Sequence, residues 1–386
     1  MTPHYITKQI ETPAGIVEQV STVWTKKDLF STIKVRWAIG RMNYIVIIIL
    51  VFSLNLKTLF SQNQVEKYYK YVNQAELAIC NEKYEDAGIF YKKAFAEHTP
   101  FCIDLWRAYT LNYEYLNNIN EAIKYAHILI QRDSTNIIEE YVMDTIKEAI
   151  MYAHLKALID TIKMTIIPEL QTALNAILED DQNIRIQYYN DADKIRAVDS
   201  VNSIKLKLLY QKYGSINETN AGSFYQNQSG LRLNLLHNGY WLNDPKDIVF
   251  QDVMNGNFDA REYAFLQDRF KTENLDPSEN KPYKAYYARN VAHAMVIDNV
   301  LFLMEPDNVE EVNENRKSIY ISETWEDYKT KLLHAFYNKS PNFKFAMLQR
   351  FNFGEDEDNI RTINEIKAEI DEEHKIGNYK RSYYEK

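Results

Sequence analysis

Glycine and proline are scarce in this chain, 10 and 9 among 386 residues, about a third to a half of average usage. A many-turned β sandwich needs far more turn residues, so the shortage favours long helices joined by short loops. Cysteine is nearly absent. Cys80 and Cys102 alone are too few for a disulfide scaffold or a structural zinc site. Helical spacing sets them well beyond the reach of about 7 Å that a disulfide allows between Cα atoms, so both are expected as free thiols. Positive charge is also in short supply. A net charge of −9 with no basic stripe argues against a nucleic-acid partner, because phosphate binding needs a concentrated cationic surface. Missing too are a Gly-x-Ser-x-Gly elbow, a phosphate loop, a His-Glu-x-x-His helix and a dinucleotide fingerprint. No cofactor and no metal are expected.

What the chain does have is apolar material, 46% of residues, ample for a buried core and two or three domains. Tyrosine is abundant at 29 residues, and its ring packs while its hydroxyl stays wet, which suits half-buried helix surfaces. The expected fold is mainly α: a helical-hairpin repeat array, then a second helical domain with a small β-hairpin. Five segments are expected: a leader of extraneous origin at 1–41, a signal peptide or membrane anchor at 42–61, the array at 65–166, the second domain at 168–332, and a helical extension at 333–386.

The apolar run Tyr44–Leu56 (YIVIIILVFSLNL) is short for a membrane-spanning helix, which takes about 20 residues. It has the length of a signal-peptide core, with Ser61 ahead of a cleavage site and Met42 as an alternative start. The run also reads as a retained anchor, or as a buried core helix. Export to the periplasm or cell envelope is the expectation if it is a signal, and a cytoplasmic location if it is not. Membrane anchoring through residues 44–60 stays open.

Between 65 and 136 an internal period emerges when Ala87 is aligned with Ala122. One unit carries Tyr71, Ala75, Ala78, Tyr84, Ala87, Tyr91 and Ala94; the next puts Trp106, Tyr113, Ile119 and Ala122 at matching places. Small residues at close helix crossings, with large aromatics beside them, resemble the tetratricopeptide repeat and its 34-residue period. Pro100 falls at the expected break. The second unit departs from the pattern at Ala126 and Leu129, and a helix starting near Ile137 is expected to cap the stack. A helical bundle with chance spacing is the other reading. The resemblance implies a protein or peptide partner, with Tyr71, Trp106 and Tyr113 as candidate partner-binding residues.

A further unit opens at Pro168, a favourable first helical residue. Leu170, Leu174, Ile177, Ile184 and Tyr188 form one helical stripe. Asp181 falls inside it, with Arg185 one turn on and able to pair with it. A carboxylate on an apolar face must find a partner, since burying it alone is costly. Asp199 is expected to cap a helix through Ile204 and Leu208 to Tyr213, ended by Gly214. His237 ends a leucine-rich helix on the same face as Leu233. Asp259 and Glu262 open another helix in the manner of a capping box. On that helix Arg261, Phe265, Asp268 and Arg269 are expected on a solvated face, with Tyr263, Leu266 and Phe270 toward the core. Residues 293–297 and 300–304, joined by Asp298-Asn299, read as a β-hairpin. Ile360, Ile363, Ile366 and Ile370 stripe a charged terminal helix, expected to dock on the body or on a partner.

Taken together, Asp181-Gln182-Asn183-Ile184-Arg185, His237, Asp268-Arg269 and Asn313-Glu314-Asn315-Arg316 resemble an uncharacterised bacterial family, a domain of unknown function. Its pattern runs Asp-Gln-x-x-Arg, a central His, Asp-Arg, Tyr-Gly-Thr-Gln and Asn-x-x-Arg. Tyr286-Tyr287-Ala288-Arg289 stands where Tyr-Gly-Thr-Gln is expected, so a role resting on that Gln has no counterpart. The resemblance covers roughly 168–332 and names no reaction. Separately, Thr12–Tyr44 resembles the start of corrinoid proteins of the acetyl-CoA synthase and mercury-methylation type, without their cobalamin-capping Asn-x-Trp-Cys-Ala segment. It implies no corrinoid chemistry here. Two functions follow, beside a third reading in which the domain is purely structural and every polar residue above serves packing. The first is an exported interaction protein; the alternative is an enzyme of unknown reaction with Asp181, His237 and Asp268 in one cleft and Arg185 or Arg269 holding an anion.

Overall fold

The computed structural model describes residues 4–12, 15–23, 63–132, 156–157, 161, 163, 165–222, 230–238, 248–273, 287–289, 294–337, 343, 345, 349–351, 357–376 and 381–385. The chain divides into two compact units, Met1–Phe60 and Ser61–Lys386. In the first, strands β1 (His4–Thr12) and β2 (Gly15–Val23) form an antiparallel hairpin. The apolar run at 44–56 and the expected cap near Ile137 lie outside the described residues.

The second unit is mainly α. It opens with α1 (63–80) and α2 (Tyr84–Glu97). Next come α3 (Cys102–Thr110), which runs on into a π-helical turn at Leu111–Tyr115, and α4 (Ile119–Arg132). The expected 35-residue recurrence is visible in the backbone. Glu82 and Asn117 stand 35 positions apart and both take positive φ, 60° and 50°, so each hairpin turns at the same place. Ala75, Ala87, Ala94, Ala108, Ala122 and Ala126 are fully buried where these helices cross. Cys80 and Cys102 are free and buried.

Helices α5 (Pro168–Gln187), α6 (Ala192–Tyr213) and the short α7 (Glu218–Ala221) follow. After them come α8 (Gly230–Asn238), α9 (Ile248–Met254) and α10 (Ala260–Glu273). Pro168 begins α5, and Gly214, at φ 75°, ends α6. Asp199 is not a cap. The helix starts a full two turns earlier, where Asp191 accepts from the Lys194 backbone N–H, and Asp199 sits inside it. The α5 stripe is buried at Leu170, Leu174, Ile177 and Asp181, but Ile184 is half-buried and Tyr188 exposed, because α5 ends there and runs past its neighbours. Helix α10 departs from its expected amphipathic form. Arg261, Glu262 and Asp268 are buried along with Tyr263 and Leu266, since Arg261 reaches across to Asp104 and Asp268 to the backbone of Tyr287 and Arg289. The side chains of Arg269 and Phe270 lie outside the described residues.

The expected hairpin exists as β3 (Ala294–Ile297) and β4 (Val300–Met304), but it is the centre of a larger sheet. Strand β5 (Gln349–Phe351) pairs parallel to β3, and β6 (Arg381–Glu385) antiparallel to β4. Alternation gives the sheet two apolar faces. Ala294, Val296, Leu301 and Leu303 pack on α11 (Val309–Ser318) and α12 (Trp325–Tyr337) through Val312, Trp325 and Leu332. Ile297, Val300 and Phe302 pack on α13 (Glu357–Lys375) through Ile363, Ile366 and Ile370. Ile360 is left exposed. One core joins the array to the helices beyond Pro168, with Val65, Tyr69 and Val72 of α1 against Leu174, Tyr210 and Tyr263. Among the described residues no helix is long and apolar enough to cross a membrane.

Candidate functional site

Helix α5 is sewn to α6 and α8 by polar side chains placed along one stripe. Asn234 donates to the Leu174 carbonyl at 3.0 Å and Asn202 to the Ile177 carbonyl at 3.3 Å. One turn further on, Asp181 is wholly buried. Its Oδ1 accepts from Arg185 Nη1 at 2.7 Å, and its Oδ2 from Gln182 Nε2 at 2.6 Å and His237 Nδ1 at 2.8 Å. Arg185 also makes a two-pronged pair with Asp199 at 3.0 and 3.1 Å, the geometry in which guanidinium and carboxylate fit best. His237 and Arg185 remain about a quarter exposed.

An ionised carboxylate only accepts, so in the neutral imidazole Nδ1 carries the proton and Nε2 is the acceptor. A buried carboxylate that fixes a histidine tautomer is how general bases are oriented. Arg185, held by two carboxylates, is not placed to seize an anion. The structure therefore brings Asp181, Arg185 and His237 together. Among the described residues no hydrogen bond joins Asp268 to Asp181 or His237.

Asp268 instead shapes a turn. Its two oxygens accept from the backbone N–H groups of Tyr287 at 2.8 Å and Arg289 at 2.6 Å. Arg316, fully buried, donates to the carbonyls of Tyr287 at 2.7 Å, Ala288 at 3.3 Å and Thr324 at 2.9 Å. Between them Ala288 is held at φ 51°, a conformation that alanine takes only at some cost. Asn313 accepts from the Trp325 N–H at 2.8 Å. Asp268 and Arg316, from two separate helices, thus hold one turn. Burial pushes the Arg316 guanidinium down to about 10. Arg289 pairs with Glu323 and stacks over Tyr328, 4.9 Å from the ring centre.

Of the candidate partner-binding residues, Tyr71 and Trp106 are half-buried. Tyr113 is buried, stacked 5.8 Å from Tyr109. It packs inside the array, because α3 turns that side toward its neighbours.

The densest polar cluster is one that the sequence reading passed over. Arg261 of α10 grips Asp104 of α3 at 2.8 and 2.6 Å and also holds Asp259 at 2.8 Å. Glu76 of α1 accepts from Arg107 and from Lys331 of α12, and Lys331 reaches Glu323 at 2.6 Å. Burial alone would raise the Glu76 and Glu323 carboxyls. Neighbouring cations hold both below the usual range, chiefly Lys331 for Glu76 and Arg289 for Glu323. A signal existed. Glu76 interrupts the apolar stripe of Tyr69, Val72 and Ile79, and Lys331 follows Tyr328 by one turn, the same anomaly that singled out Asp181.

A second overlooked group is Glu218 of α7. Its Oε2 accepts from the Cys102 N–H at the start of α3, at 2.6 Å, and Arg132 stands 3.9 Å away. Burial pushes the Glu218 carboxyl up to about 7. Among the described residues no group of three or more His, Cys, Asp or Glu is arranged to hold a metal ion. No family model matches the chain, and no curated protein or solved structure does.

Proposed function

We propose that the chain is an exported protein-interaction protein in which α1–α4 present a repeat-array surface and the remaining elements form an appended body. The supporting observation is the pair of helical hairpins that turn at Glu82 and Asn117 and cross on buried alanines. Stacked hairpins of this kind offer an extended side-chain surface to a peptide or protein, and the assignment to this chain rests on that analogy. The polar face carrying Glu76, Asp104 and Arg107 is taken by the chain's own Arg261 and Lys331. Tyr71 and Trp106, each half-buried, are left as the candidates for contact with a partner. Export rests on the apolar run Tyr44–Leu56.

Photo-crosslinking residues placed at Tyr71, Trp106 and, as a buried control, Tyr113 test this reading in cells of the native host. Discrete protein adducts at the first two sites and none at the third are expected. No adduct at any site sinks the reading. Mass spectrometry of the mature N-terminus tests export: a start near Gln62 is expected, and an intact Met1 in the cytoplasm refutes it.

The Asp181–His237 bond favours one second reading, a catalytic pair with His237 Nε2 as general base. It calls for hydrolysis of some chromogenic ester, amide or phosphoester that His237→Ala abolishes. Equal rates for both proteins across such a panel would remove it.

A further inference from the structure

The segment 215–221, which contains α7, lies between two glycines in left-handed backbone, Gly214 at φ 75° and Gly222 at φ 95°. Glycine takes such angles without the penalty of a Cβ, so both ends of the segment are free to turn. Between them the segment is bonded to itself. The Asn217 N–H donates to Asn220 Oδ1 at 2.9 Å, Asn217 Oδ1 accepts from the Thr219 N–H at 2.9 Å, and Asn220 Nδ2 donates to the Ser215 carbonyl at 2.8 Å. A piece so bonded moves as a unit.

Its ties outward rest on buried carboxyls. Glu218 Oε2 accepts at 2.6 Å from the N–H of Cys102, the first residue of α3. Arg132 of α4 stands 3.9 Å off and is itself committed to the Pro100 carbonyl at 2.6 Å. Asp252 of α9 holds the Ser215 hydroxyl. Ile216 enters the core, and the Asn220 carbonyl accepts from the Ile167 N–H at 2.9 Å. Among the described residues, Glu218 Oε1 and Asp252 Oδ2 are buried without a hydrogen-bond partner. A negative charge there is poorly solvated, and a proton removes it.

We propose that the segment 215–221 is a pH-sensitive strap, hinged at Gly214 and Gly222, that closes over the start of α3 while Glu218 and Asp252 carry protons and lifts when they lose them. Burial pushes the Glu218 carboxyl up to about 7, against Arg132 and the Cys102 N–H and with a further rise from Asp259. Burial raises Asp252 as well, against Ser215 and Asn257. A carboxyl raised by closure holds the strap fully below its open-state value and releases it as pH climbs through the closed-state one. His98, beyond Arg132, is pushed down by burial and gains no charge as pH rises. Ile216 and Ala221, both buried, keep the closed form dominant, so pH changes how often the strap opens. The device uses none of the residues proposed for partner contact.

Opening uncovers the Cys102 thiol, which supplies the test. Dithiodipyridine, a disulfide that reacts with thiols in acid as well as base, is applied to the folded full chain from pH 5 to pH 8.5. Peptide mass spectrometry then compares the capture rate of Cys102 with that of Cys80 in the same molecules. Cys80 is also buried, and the charges beside it are Lys331 and Glu76. The Cys102-to-Cys80 ratio should rise roughly tenfold or more across the range. It should rise much less in Glu218→Gln and stay flat when Asp252→Asn is added. A level wild-type ratio overturns the proposal, whether or not the variants fold. So does a rise that the double variant leaves intact. Two thiols that quicken together assign the exposure to global unfolding and overturn it as well.

Discussion

Replacing Glu218 with Gln should stabilise this protein above neutral pH and leave it nearly unchanged in mild acid. The Glu218 side chain is 3% exposed, and its carboxyl is raised from 4.5 to about 7, mostly by burial and against the pull of Arg132. A raised carboxyl binds its proton more tightly in the folded state. Its contribution is therefore complete below the unfolded value and is lost as pH climbs through the folded one. At 1.36 kcal/mol per unit, that span corresponds to about 3 kcal/mol of folding stability lost across the window. Gln keeps a carbonyl oxygen to accept from the Cys102 N–H and has no proton to lose. Urea unfolding of both proteins, from about pH 4 to pH 8.5, should show stability curves that meet at the acid end and separate by about 3 kcal/mol at the other. Other groups titrate in the window, but they do so in both proteins and cancel in the difference. Parallel curves, or curves that separate toward acid, would refute the argument.

Other expectations follow from the polar clusters and the turns. Asp181→Ala should cost about 2 kcal/mol in a thermal melt, since His237 and Gln182 lose a partner while Arg185 keeps Asp199; an unchanged melt would deny the pairing its role. Lys331→Met takes one cation from Glu76 and Glu323, both nearly inaccessible, which keep Arg107 and Arg289, and should cost about 2 kcal/mol by urea unfolding. A neutral result there would mean that water reaches the cluster. Gly256→Ala should be worse than Gly214→Ala. Both have φ near 75°, but an added Cβ at Gly256 meets Val65 at 2.7 Å, whereas at Gly214 nothing lies within 4 Å. About 1 kcal/mol is expected at Gly214, and equal costs would contradict the close packing at Gly256.

Much of the helical framework was legible because its signals are local. Period, proline and glycine positions located the α1–α4 hairpins, the start of α5 at Pro168 and the end of α6 at Gly214. The stripe argument found Asp181 because burial of a charge on an apolar face leaves a mark in one helix. Asp199 misled because aspartate serves equally as a cap and as a salt-bridge partner, and only the neighbour across the gap, Arg185, decides between them. Strands β5 and β6 escaped notice because each is short and its pairing partner lies far off in sequence. The charged side of α10 was read as solvated because one helix cannot reveal how many neighbours surround it.

The buried ionic cluster bears on what the repeat helices do. Glu76 and Asp104 lie on α1 and α3, the first helix of each hairpin, and their cations arrive from α10 and α12. Replacing such a network by apolar residues often leaves stability unchanged or improved, whereas removing one member is costly. Its value is therefore selective: only one seating of α10 and α12 on the array satisfies every charge. The apolar contacts alone, Val65, Tyr69 and Val72 against α5, α6 and α10, tolerate slippage that paired carboxylates do not. A partner aimed at that face has to displace a charge-matched segment of the same chain, present at high effective concentration.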